Sequence, residues 1–142
     1  MDARYNRAVV STDYKELIVW QKSIGLIDIV YDGTETFPKK EMFGLASQMQ
    51  RAAVSIASNI AEGSARHSRR DFIRFLRQSR GSLAELETQI VVAVHRKYLT
   101  RERMFVSASE IDRMLSGLIT SLRAKEANKV DESRKAIEHS EH

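Results

Sequence analysis

Six arginines, Arg66, Arg69, Arg70, Arg74, Arg77 and Arg80, fall within fifteen residues in which Asp71 is the only acid. A guanidinium stays charged at any ordinary pH and presents a planar fork of donors that fits phosphate oxygens. Placed on a helix at roughly 100° per residue, all six lie within an arc of about 140°. Phe72, Phe75, Leu76 and Ser79 fall outside that arc, so one helix can bury an apolar face and still present a basic one. Ile73 is the exception, an apolar residue inside the basic arc. Repeated cations on one face match a polyanion better than a single small ligand. Binding of this kind goes to the RNA or DNA backbone and weakens steeply with salt. Nothing in the pattern argues for base readout. Two other uses of the same residues stay open: ion pairs with carboxylates of the bundle or of a neighbouring subunit, and a plain solvated face. An acidic protein partner would also suit such a face.

Other chemistry finds no support. The chain has no cysteine, which removes disulfides, thiolate zinc sites and a cysteine nucleophile. A di-metal centre in a helical bundle needs Glu-x-x-His pairs. Ser64, Val92, Ala136 and His139 stand three residues before His67, His95, His139 and His142. Glu85 and Glu87 lie about 200° apart on one helix and do not converge. Ser55, Ser58, Ser79 and Ser82 have no nucleophile motif around them, and no glycine-rich phosphate loop occurs. No catalytic, cofactor-binding or metal-ligating residue is assigned, and a non-enzymatic role is expected.

The elements that must carry the arginines follow from periodicity. One proline and six glycines in 142 residues leave room for few turns. Helix one is expected over about 14–32, with Leu17, Trp20, Ile24, Ile27 and Tyr31 as its stripe and Gly33 as its stop. Helix two is expected over about 40–62, with Met42, Leu45, Met49, Ala52, Ile56 and Asn59 on one face and Gly63 as its C-terminal cap. Asn59 on that stripe suggests a buried amide that fixes register. Ser68 and Asp71 have capping-box spacing, and helix three runs from there to about Tyr98 on Phe72, Leu76, Ser79, Leu83, Leu86, Ile90 and Ala93. Helix four is expected over about 100–123 on Met104, Ala108, Ile111, Leu115, Leu118 and Leu122. Gly44, Gly81 and Gly117 fall inside helices, and close helix approach would explain them, above all at Gly81-Ser82 beside Ala84.

These stripes predict an all-α, antiparallel up-and-down four-helix bundle over residues 14–123. Residues 1–13 form an arm, and residues 124–142 form a charged tail, either a solvated helical extension or disordered. Ile18, Val19, Leu26, Ile29 and Val30 on helix one, with Ile73, Val91 and Val92 on helix three, lie off the main stripes. They imply either a wider core face or a subunit interface, and so a homo-oligomer. No stretch is long and apolar enough to span a membrane, and no signal peptide is evident, so a cytoplasmic location is expected.

The run Gln48-Met49-Gln50-Arg51-Ala52-Ala53-Val54-Ser55-Ile56-Ala57-Ser58-Asn59-Ile60-Ala61-Glu62-Gly63 resembles the signature of the bacterial four-helix bundle proteins linked to 23S rRNA intervening sequences. Phe72, Phe75-Leu76 and Gly81-Ser82-Leu83-Ala84-Glu85-Leu86-Glu87 match its second signature, and Leu17, Val19-Trp20-Gln21-Lys22 fit its opening. The similarity spans about residues 14–122. Ala57 stands where proline is common and Gln50 where arginine is common, so helix two should be straighter and carry one cation fewer. The resemblance implies the four-helix bundle and kinship with the accessory variability determinant of diversity-generating retroelements. That kinship implies a basic, ring-shaped homopentamer, nucleic acid as a ligand and a reverse transcriptase as a possible partner. It implies no enzyme activity.

Overall fold

The computed structural model describes residues 13–100 and 102–141. All but the last residue of the expected N-terminal arm lies outside them. Among the described residues there are four α-helices: α1 (Ile18–Thr34), α2 (Leu45–Ser64), α3 (Arg69–His95) and α4 (Glu102–Ser140). Short 3-10 turns precede α1 at Tyr14–Glu16 and α2 at Lys39–Glu41. No strand occurs among the described residues. Each helix packs on its two neighbours in sequence order, and α4 returns to α1. The result is an up-and-down four-helix bundle around one core, which includes Leu26, Met49, Ile56, Leu76, Leu86, Ile90, Ile111 and Leu115.

The core face of α1 differs from the one its sequence suggests. Val19, Ser23, Leu26, Val30 and Thr34 are buried, whereas Trp20 and Ile27 flank the core half-buried, Ile24 is half-buried and Tyr31 is exposed. Two polar residues hide the true face from a hydrophobicity pattern. Ser23 Oγ donates to Val19 O at 2.7 Å and Thr34 Oγ1 to Val30 O at 2.8 Å. A hydroxyl satisfied by its own helix enters a core without leaving an unpaired polar group. Val19, Leu26 and Val30 are thus core residues and not surplus. Ile73 likewise is only 7% exposed and joins the core. Of the suspected interface residues, Ile18, Val91 and Val92 remain exposed.

The α2–α3 contact is the most extensive in the bundle. Small residues let it be close. Ser79 Oγ donates across it to Ile56 O at 2.8 Å, and Ser55 Oγ and Ser82 Oγ pair at 2.9 Å. Asn59 is half-buried, and its Nδ2 donates to Ser55 O and Ser55 Oγ, which ties it to that hydroxyl pair. Gly63 is not a left-handed cap: it lies inside α2, and no described glycine has positive φ. Its role is space. A Cβ there would sit 2.5 Å from Phe75 Cβ and 3.2 Å from Phe72 Cδ1. Gly33 is also inside a helix, against the Met104 side chain. Gly44 stands just before α2. Gly81 and Gly117, expected at points of close approach, have open space around them.

The links follow from local bonds. Ser68 Oγ accepts the Asp71 N–H at 3.3 Å and starts α3. That helix stops at His95, three residues before the expected end, because Lys97 turns left-handed (φ 61°). The Tyr98 N–H then reaches Ala93 O and the Lys97 N–H reaches Val94 O, which closes a Schellman motif without glycine. The Tyr98 ring packs on Phe37 of the opposite link, centroids 5.3 Å apart. At the other end α4 does not fray after Arg123. It runs on to Ser140, and from Ala127 every described residue is exposed. Residues 124–140 therefore extend roughly 25 Å beyond the last core-packed turn, at 1.5 Å per residue.

The two kinds of glycine predict opposite responses. Gly63→Ala overpacks α2 against α3 and should cost about 1–3 kcal/mol. Gly81→Ala fills open space in a helix interior and should add about 0.5–1 kcal/mol. Denaturant unfolding of both variants checks this, and an unchanged Gly63→Ala midpoint would contradict the close approach.

Candidate nucleic-acid interface

The arginine-bearing segment is positioned by three local causes. Gly63 brings the end of α2 against Phe72 and Phe75, the link turns at His67 (φ 55°), and Ser68 caps α3. As the sequence pattern implies, Phe75, Leu76 and Ser79 are buried on one side of α3. Arg66, Arg70, Arg74, Arg77 and Arg80 are exposed, and Arg69 is partly so.

The six do not share one environment. Arg66 bonds Glu62 at 3.0 Å, and Arg74 meets Asp71 at 3.8 Å. Both guanidiniums also lie over the Phe75 ring, at 5.3 and 4.6 Å from its centroid. One buried aromatic thus holds two cations, each with its own carboxylate. Arg69 reaches across to Glu126 of α4 at 3.5 Å, and Arg80 donates through Nε to Asp112 of α4 at 3.2 Å. Arg70 and Arg77 have no ion-pair partner among the described residues. Exposed ion pairs of this sort contribute about 0–1 kcal/mol each and break readily. The paired arginines therefore remain available to a stronger anion.

An open groove of about 1130 Å³ runs between α3 and the extended α4. Arg70, Arg74 and Arg77 line it from α3 and Arg123 from α4, with Ile73 and Val130 as its apolar residues. Asp71 and Glu126 are its two carboxylates, so four cations face two anions. A smaller depression of about 530 Å³ adjoins it at the α2–α3 link, lined in part by His67, Arg69, Glu126 and Lys129. Arg66 and Arg80 line neither. Arg123, Glu126 and Val130 did not emerge from the sequence because Arg123 stands at the expected end of helix four and residues 124–142 read as a charged tail, either a solvated helical extension or disordered, with no facing wall implied. One signal was present: the buried positions Leu115 and Ile119 continue at helical spacing through Leu122 and Glu126 to Val130 and Ile137.

No group of three or more His, Asp or Glu side chains among the described residues is arranged to hold a metal ion. No described helix is long and apolar enough to cross a membrane. Among the described carboxyls, one is shifted, and it lies higher on the bundle. Burial, aided by the negative charge of Asp112, raises the Glu87 carboxyl above its ordinary value of 4.5. An acid whose folded value is raised favours the folded chain below its unfolded value. It loses that contribution as pH rises through the folded value. Glu87→Gln should therefore melt at a higher temperature than the parent at neutral pH, with the gap closing at about pH 4 and below. Thermal melts across that range check the sign.

The structure and sequence have relatives. A protein of unknown function from the S23 ribosomal protein family, from Bacteroides thetaiotaomicron, has a crystal structure that superposes with a TM-score of 0.65 at 25% identity. The match covers 72% of this chain and 96% of that one. No curated protein matches the sequence. Residues 15–119 match the model of the 23S rRNA-intervening sequence protein family, and with a match over most of its length the chain belongs to that family.

Proposed function

We propose that this protein is a non-enzymatic, homo-oligomeric bundle that binds the phosphate backbone of RNA or DNA. The observation that carries this reading is the pair of exposed guanidiniums on Arg70 and Arg77, which have no ion-pair partner among the described residues and line a groove that Arg123 enters from the facing helix. Cations left without partners on one surface repel each other, and a polyanion relieves that repulsion while releasing its own counterions. The family description, which couples these proteins to 23S rRNA intervening sequences, supports an RNA ligand. Val91 and Val92, 52% and 42% exposed on the far half of α3, support self-association, for which a pentameric ring is the expected form. Repetition around a ring would multiply the basic field.

Short labelled single-stranded and duplex RNA and DNA, titrated with salt, test the reading. Binding should weaken log-linearly with salt. Arg70→Ala/Arg77→Ala should reduce affinity about tenfold or more and flatten the slope by about 1–2. Absence of binding at low salt, or an unchanged double variant, rejects it. Light scattering on the same samples separates the alternative: if the double variant falls apart into monomers, the arginines grip a neighbouring subunit.

A further inference from the structure

The groove is built differently from a plain phosphate-binding surface. Its cations stand around an apolar strip made of two side chains, one on each helix: Ile73, buried at the foot of α3, and Val130, 51% exposed on the α4 extension. Arg70 and Arg77 are two helical turns apart on one wall, about 10.5 Å along the axis. Arg123 stands on the other wall, seven residues and about two turns before Val130. A volume of about 1130 Å³ exceeds what a single small ligand fills.

We propose that this groove takes single-stranded nucleic acid, with a base lying over the Ile73–Val130 strip and the neighbouring phosphates on Arg70, Arg77 and Arg123. The proposal rests on the polyanion reading above and narrows it. A duplex keeps its bases stacked inside and offers only phosphates, so it would gain nothing from the apolar strip. A single strand can turn a base out, and both aliphatic surface and guanidinium planes accept its face without regard to sequence. An acidic helical peptide fits less well. Helix-in-groove binding needs a row of apolar anchors along several turns, and this strip offers one exposed valine over a buried isoleucine. Asp71 and Glu126 also line the groove, Glu126 one turn before Val130 on the same face of α4; these carboxylates limit how many phosphates the walls can hold and favour a short stretch of strand.

The test uses the full chain at one low salt concentration with three probes: oligouridylate, an RNA duplex of equal length, and inorganic polyphosphate as an anion without bases. The variants are Val130→Gln, which keeps the charge and is a better helix former than valine, and Val130→Trp, with circular dichroism to confirm that helix content is retained. Oligouridylate should bind at least about tenfold tighter than the other probes. Val130→Gln should weaken oligouridylate about fivefold and leave duplex and polyphosphate unchanged. Val130→Trp should tighten oligouridylate, with quenching of the added indole, as expected when a base stacks on an aromatic ring. If all three probes bind alike and Val130→Gln changes none of them, the backbone reading stands and this proposal is overturned. If no probe binds, both fall. If an acidic amphipathic peptide binds more tightly than oligouridylate and Val130→Gln abolishes it, the groove belongs to a protein partner.

Discussion

At the end of α2 there is no room for a side chain on Gly63, because the Cβ of Phe75 already occupies the space where one would begin. That contact, with the Ser79 bond to Ile56 O and the Ser55–Ser82 hydroxyl pair above it, draws the second half of α2 against the first half of α3. It fixes where the chain must turn and hence where α3 starts. Because α3 starts there, its first three turns stand beside the lower part of α4 and not beside α1, and the arginines on those turns acquire a facing wall. Larger residues on this seam would separate the helices, rotate α3 and scatter the cations. The basic groove is in this sense a product of close packing on the opposite side of the same helix.

Six cations within fifteen residues would be unfavourable if all were left bare. The molecule deals with four of them locally. Glu62, Asp71, Asp112 and Glu126 each take one guanidinium, and Phe75 receives two of these cations on its ring. Two of these carboxylates come from α4, so the fourth helix both packs the core and tempers the charge of the third. The pairs are exposed and weak individually. Their effect is to set four of the guanidiniums beside carboxylates and to leave Arg70 and Arg77 without an ion-pair partner among the described residues.

Much of this was legible in the sequence. The buried face of α3, the start of that helix at Ser68, the bundle and the separation of arginines from the core all follow from spacing and capping rules. Three things were not. On α1 two apolar stripes compete, and the one with Ser23 and Thr34 looks weaker although their hydroxyls bond within the helix and can be buried. Gly63 reads as a cap because glycine after an apolar run has two meanings, conformational and steric, and only a partner helix distinguishes them. The extension of α4 was ambiguous because Val130 and Ile137 are sparse among charges, and a polar helix and a disordered tail share that composition. Each failure concerns a residue whose role depends on something distant in the chain.

Residues 124–140 are held at one end only. Helix propagation from an ordered bundle avoids the cost of nucleation, so the segment inherits helical structure from the turns before it. Beyond Glu126, however, its backbone hydrogen bonds have no tertiary packing to protect them, and its amides should open at free energies far below those of the core. One wall of the groove is therefore rigid and the other is soft. Whatever settles between them would order the soft wall by several turns, so that occupancy would be registered as a change in the length of a stable helix, visible well away from the point of contact.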